Sequence, residues 1–325
     1  MCRLLILCIA FALAGCGRDS SPTSDAPVAA QSAASYRVID ITPDFWAFWS
    51  AAHGKPLEEQ QRLLQTMLLE RHPHIYTAHV LTLPDDEPLE EAMNARYERW
   101  LPRISPHIET MKKVSERIAS DLPEYERSFR KTFPDMRYTG NVYFMCSFGG
   151  FDGAVRTVNG ERTLLFGVDM IAYVYGEHAD PQPFFHHELF HIYHSQFLDK
   201  DDDRLFMNLW SEGLATYVAK ALNPSAEGVN LFGLPLDMPE RAAAMLPQLA
   251  RELRENMDST SPDTYARFFF GKDEHAEVPA RSGYYVGYRV VEKIAPGREL
   301  RELAGMQPAE IRAAVEKALL GLEGR

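Results

Sequence analysis

Phe185-His186-His187-Glu188-Leu189-Phe190-His191-Ile192-Tyr193-His194 carries the densest chemistry of the chain. Phe185, Leu189, Ile192 and Tyr193 recur at helical spacing, which predicts a helix over 184–197. Within it, His187-Glu188-x-x-His191 sets two imidazoles at i and i+4. On a helix those positions lie one above the other, so both rings can reach one tetrahedral ion. Glu188 projects beside them, where a carboxylate can take a proton from water at that ion. His186 points about 100° away from His187 and is expected behind the ligands or on the surface. His194 lies one turn beyond His191 on the ligand face. It could support a ligand, but an ordinary, partly buried histidine is the expectation.

A catalytic zinc needs a third protein ligand and an open position for water. Phe197 and His194 stand where the metzincin arrangement has its third histidine and a glycine, which excludes that arrangement. Downstream comes Leu209-Trp210-Ser211-Glu212-Gly213-Leu214-Ala215-Thr216-Tyr217, which resembles the glutamate-bearing helix of the gluzincins, the thermolysin-like and aminopeptidase-like group. The gap of 20 residues from His191 to Glu212 lets one helix end and a second return, with its glutamate facing the first. Asp201, Asp202 and Asp203 are nearer in sequence but read as a solvated turn. In thermolysin-like enzymes an acid four residues after the glutamate ligand supports a histidine. Thr216 occupies that position here, so the support must be built differently.

Outward from these helices, the fold reads as α+β. Residues 36–135 carry helical patterns around Leu57–Leu68, over 87–100 and over 108–118, with Pro123 separating the last from a helix over 125–133. Two β-branched and aromatic runs, 138–147 and 163–168, flank a glycine-rich stretch at Gly149–Gly153 and an Asn159-Gly160 turn. Helices then return over 184–197, 209–222, 239–255, 283–294 and 309–322. The expectation is a zincin-like domain over 136–325, with a small mixed sheet and an active-site helix, behind a helical N-terminal region.

The amino terminus carries an address. Residues 1–15 have one arginine, a short apolar run and a small-residue exit, the pattern of a secretory signal. Leu13-Ala14-Gly15-Cys16 resembles the bacterial lipobox, in which the cysteine is lipidated and becomes the first mature residue. Gly17 in place of an aspartate favours the outer membrane, facing the periplasm. Residues 16–35 are rich in Ser, Ala and Pro and read as a flexible tether. Of four cysteines, Cys2 and Cys8 leave with the signal and Cys16 is acylated, so Cys146 has no partner and is expected in the core. The whole sequence of 325 residues has a net charge of −12, which argues against nucleic acid as a partner.

The HExxH helix, the Trp-Ser-Glu-Gly-Leu-Ala-x-Tyr helix and the late Gly283-Tyr284-Tyr285-Val286-Gly287-Tyr288 segment together resemble a bacterial family catalogued as zinc-dependent proteases of unknown function. The resemblance covers roughly residues 140–295. It implies Zn²⁺ held by His187, His191 and Glu212, Glu188 as general base, and Tyr284 or Tyr288 against the developing oxyanion. It also implies that a strand before the motif helix, here 163–168, pairs with extended peptide or protein substrate. Two other readings stand beside it: a non-enzymatic zinc-binding envelope lipoprotein, and a metal-dependent hydrolase of a non-peptide bond.

Overall fold

Pro183 opens the motif helix, Gln182–His194, in the first turn, where its missing N–H leaves no bond unmade. Phe184, Phe185, Leu189, Phe190, Ile192 and Tyr193 are all buried, and a helix apolar all round belongs inside the core. The structure, a computed structural model, describes residues 36–84, 86–176, 180–198, 202–270 and 277–324. The expected signal segment, Cys16, the whole of the tether and Asp201 lie outside the described residues. The described residues belong to one compact unit, Ala34–Arg325.

The fold is α+β. Four strands, β1 (Arg37–Asp40), β2 (Asn141–Met145), β3 (Gly153–Val158) and β4 (Glu161–Gly167), form one sheet in the order β1-β2-β4-β3. β1 and β4 both run parallel to β2, while β3 is antiparallel to β4. β2 and β4 are flanked on both edges, and their sequences are nearly continuous buried runs. Cys146, just past β2, is in the core as expected. Asn159 and Gly160, at φ of 51° and 80°, make the two-residue turn between β3 and β4 that an Asn-Gly pair favours.

Four departures from the sequence expectation bear on the fold. β1 and β3 are additional strands. Ile108–Thr132 is one helix with Pro123 inside it. Met111, Ile118, Leu122, Tyr125 and Phe129 form one buried stripe that continues past the proline. Burying those side chains, at about 1.5–3 kcal/mol each, outweighs the roughly 3 kcal/mol that an internal proline costs. The helix expected over 239–255 is two, Met238–Ala244 and Leu246–Glu255, restarting where Pro247 takes a first-turn position.

Asp169 fixes the loop leading into β3. Its buried carboxylate accepts from Ser147 N at 2.7 Å, Gly149 N at 2.8 Å and Trp100 Nε1 at 2.8 Å. Burial pushes its carboxyl up, and these donors work against that by favouring the charged form.

The glutamate helix, Leu205–Leu222, packs on the motif helix and on the tyrosine helix, Ser282–Ile294. Where the glutamate and tyrosine helices cross, backbone meets backbone. A Cβ on Gly213 would lie 2.3 Å from the Gly287 carbonyl carbon, and one on Gly287 would lie 2.5 Å from the Leu209 carbonyl oxygen. Only glycine on both helices permits that approach. Gly213→Ala should therefore push the helices apart and cost about 1–3 kcal/mol of stability, read as a lower Tm, with a similar loss for Gly287→Ala.

Candidate metal centre

The motif helix presents His187 and His191 on one face, and the glutamate helix brings Glu212 to it. His187 Nε2 and His191 Nε2 are 3.0 Å apart, and Glu212 Oε2 is 3.3 Å and 3.4 Å from them. Zinc bonds of about 2.0–2.2 Å in a tetrahedron separate neighbouring ligand atoms by roughly 3.3–3.6 Å, so the three donors stand near the spacing one ion needs. Among the described residues, this is the group of His, Cys, Asp and Glu side chains close enough to share a metal. Two imidazoles and one carboxylate suit zinc chemically and leave a fourth position open.

Burial opposes charge at all three groups. It pulls His187 down despite the neighbouring carboxylate. At His191 the pull of burial is outweighed by Glu212, which holds the imidazole up. Burial would raise Glu212, yet the two imidazoles keep its carboxyl well below the usual carboxylate range. Ser211 Oγ lies 3.5 Å from His191 Nδ1, so the hydroxyl can accept from the outward nitrogen while Nε2 faces the centre. Thr216 donates to the Glu212 carbonyl at 2.8 Å. Asp202, which is not among the three clustered donors, pairs with Arg204 at 2.6 Å.

Glu188 is only 8% exposed and makes no hydrogen bond or ion pair with any described residue. It is pressed against the start of β3, where a Cβ on Gly153 would lie 2.7 Å from Glu188 Cδ. Burial pushes its carboxyl up to about 7, against the pull of His191. Histidines 186 and 194 divide differently. His186 is buried, not on the surface: Nε2 contacts Ser128 Oγ at 2.7 Å, and Nδ1 faces the Asn223 amide at 2.9 Å. It thus ties the motif helix to two neighbouring helices, and burial pulls it down to about 4, so it stays neutral. His194 is buried against Phe190, with its ring centroid 5.3 Å away, and makes no hydrogen bond to Glu212 or either ligand imidazole.

The three donors and Glu188 share a cavity of about 540 Å³. β3 from Gly153 to Arg156 forms part of its wall, with Tyr265, Arg281 and Tyr284. The Tyr284 ring is 6.3 Å from that of His187, and burial together with the Glu212 charge raises its hydroxyl well above the ordinary value, so it keeps its proton. Tyr288, the other tyrosine expected there, lies elsewhere. It sits against Tyr217 and Phe232, at 6.0 and 5.8 Å, and is not in the cavity wall. Residues at i and i+4 share a face, but the second lies a full turn of about 5.4 Å along the axis, which here carries it past the cavity.

Tyr265 and Arg281 were not foreseen. Tyr265 lies on the helix Pro262–Phe269, and the signal for that helix was present, since Ser261 caps it by accepting from Thr264 N and Pro262 opens it. Arg281 sits in the left-handed region, with φ of 61°, just before the tyrosine helix. No periodic pattern marks it.

Residues 169–312 match the family model described as "Predicted Zn-dependent protease (DUF2268)". The matched span takes in His187, Glu188, His191, Glu212, Arg281 and Tyr284, and leaves out all four strands. The similarity supports a zinc-protease family for this part of the chain, and the His187–His191–Glu212 cluster fits the zinc dependence its description implies. No curated protein and no solved structure matches the chain.

Proposed function

We propose that this chain is a zinc metallopeptidase of the gluzincin type. The observation that carries the proposal is the convergence of two imidazoles and a carboxylate beside a buried, non-ligating Glu188 in one cavity. His187, His191 and Glu212 would hold the ion. When bound, zinc supplies a Lewis acid that polarises a carbonyl and acidifies water. Glu188, with a carboxyl near neutrality, takes a proton from water on one Oε and gives it to the leaving amine. Tyr284 keeps its proton and donates a hydrogen bond to the oxygen that gains charge as the carbonyl carbon becomes tetrahedral.

Extended substrate would lie along β3. The run 163–168 cannot take that role, because β4 is already paired with β2 on one edge and β3 on the other. β3 has one strand partner among the described residues and lines the cavity from Gly153 to Arg156. A peptide can add to such an edge as a further strand. Gly153→Ala tests the join between that edge and the base. The added methyl would collide with Glu188, and a shift of about 1 Å in a catalytic group costs roughly 10²-fold in turnover. Hydrolysis should fall by that order while zinc affinity holds, measured as turnover against zinc competition with a chelator.

The direct test of the activity is cleavage of a peptide library by the zinc-loaded protein, lost with chelator and restored by zinc. A zinc-loaded protein that cleaves nothing would favour the non-enzymatic lipoprotein. The substrates would be peptides or proteins of the bacterial envelope, reached from a lipid anchor at Cys16. No helix among the described residues is long and apolar enough to cross a membrane. Cys16→Ser should abolish labelling by a radioactive fatty acid. Equal label on both proteins would remove the anchor and leave the metal centre as argued.

A further inference from the structure

We propose that Arg281 recognises a carboxylate of the substrate beside the metal centre, an inference that rests on the peptidase reading. Arg281 is a cation in the cavity wall with no hydrogen bond or ion pair to any described residue, and its Nε is buried without a partner. Buried polar groups in folded proteins are almost always satisfied, and an unmatched guanidinium facing a cavity implies an acceptor that arrives from outside. The acids that act on it across the cavity are already engaged. Asp152 accepts from Tyr175 Oη at 3.3 Å and from Gly153 N at 3.0 Å, and Glu212 faces the two imidazoles.

The side chain is held in place rather than left to search. Its guanidinium carbon lies over the Tyr284 ring, 4.4 Å from the centroid. The backbone adopts the left-handed conformation at a residue with a Cβ, an arrangement that persists where the surroundings dictate the aim of a side chain. Asn230 Oδ1, in the same wall, is also buried without a partner, an acceptor suited to an N–H of the same substrate and not to its carboxylate. Asn230 lies on the short helix Val229–Phe232, which ends at Gly233, and a Cβ on Gly233 would lie 3.6 Å from Arg281 Nη2. The planar fork of N–H donors matches a carboxylate better than any neutral group of a peptide.

The reach is limited. Tyr284 lies 4.4 Å from the guanidinium carbon and 6.3 Å from the His187 ring, so the fork is at most about three extended residues from the centre. The carboxylate is therefore the C-terminus of a short substrate, or an Asp or Glu side chain within about three residues of the cut.

Binding to the zinc-loaded Glu188→Gln protein tests this without turnover. The probes are two acetylated tetrapeptide libraries, one ending in a free carboxylate and one in an amide, with retained peptides read by mass spectrometry after equilibrium dialysis. Acids should be retained about 10- to 100-fold over the matching amides, the worth of one charge-assisted pair, and adding Arg281→Gln should bring that ratio to about one. Amides retained only when they contain Asp or Glu, and lost with Arg281→Gln, would assign the site to a side-chain carboxylate. Arg281→Lys keeps the charge and stem without the fork, and should lose most of the preference while melting with its parent. Retention of neither library, retention blind to charge, or a preference that survives Arg281→Gln would overturn the proposal. Carboxylate-selective binding of peptides that the protein with Glu188 intact does not cut would discard the peptidase and keep this site. Hydrolysis without selectivity would do the reverse.

Discussion

Glu188→Gln should lower peptide hydrolysis by about 10²–10⁴ while zinc content stays at that of the parent. The amide keeps the volume and shape of the carboxyl, so the wall it shares with Gly153 is undisturbed. What it loses is the ability to accept a proton near neutral pH. Glu188 is not one of the three clustered donors, so the metal should stay. Stability offers an independent check with a definite sign. In the metal-free protein the Glu188 carboxyl is raised to about 7 from an ordinary 4.5, chiefly by burial. A group raised in the fold stabilises it fully below the unfolded value, and that contribution is lost as pH rises through the folded one. Above pH 7 the glutamine variant should therefore melt no lower than its parent. A variant that hydrolyses peptides at the parent's rate would remove Glu188 from the mechanism altogether.

Loss of a ligand should have the other large effect. The protein should bind zinc at about one ion per chain, and His187→Ala or His191→Ala should abolish it, because two remaining donors cannot close a site. Glu212→Gln should weaken binding strongly, since an amide oxygen replaces a charged ligand. Elemental analysis and chelator competition measure both. The same variants should lose the rise in Tm that zinc gives the parent, because only a folded site binds the ion. Full zinc affinity in the Glu212 variant would move the third ligand elsewhere, with Asp201 to Asp203 and His194 next in line.

The cluster of three candidate donors was legible because the pattern that brings such groups together is local in sequence. His187 and His191 need only a helix to meet, and Glu212 needs only a second helix packed on the first. The Asn159-Gly160 turn was legible for a similar reason, since both residues must take positive φ and this pair does so readily. β1 was not, because its partner β2 lies about a hundred residues away and parallel pairing leaves no mark in either segment. β3 begins with a glycine and lacks a clean alternation, so nothing distinguished it from the loop before it. Pro123 misled because a local rule was applied where a buried stripe decides. Tyr288 misled because a helical wheel shows direction and not depth. Arg281 and Tyr265 enter the cavity from segments far from the motif, and only the packing of the tyrosine helix brings them there.

If substrate adds to β3 as proposed, the edge that has no strand partner among the described residues would set a condition on what the protein can act upon. A backbone docks there only if its own amides and carbonyls are unpaired over several residues, and in a native protein such stretches exist mainly as rare, locally opened states. When opening is fast relative to cleavage, the rate follows the population of the opened form, so a substrate weakened by about 1.4 kcal/mol would be cut about tenfold faster. The edge would then act as a gauge of substrate stability, sparing well-folded neighbours and removing those that have begun to fail.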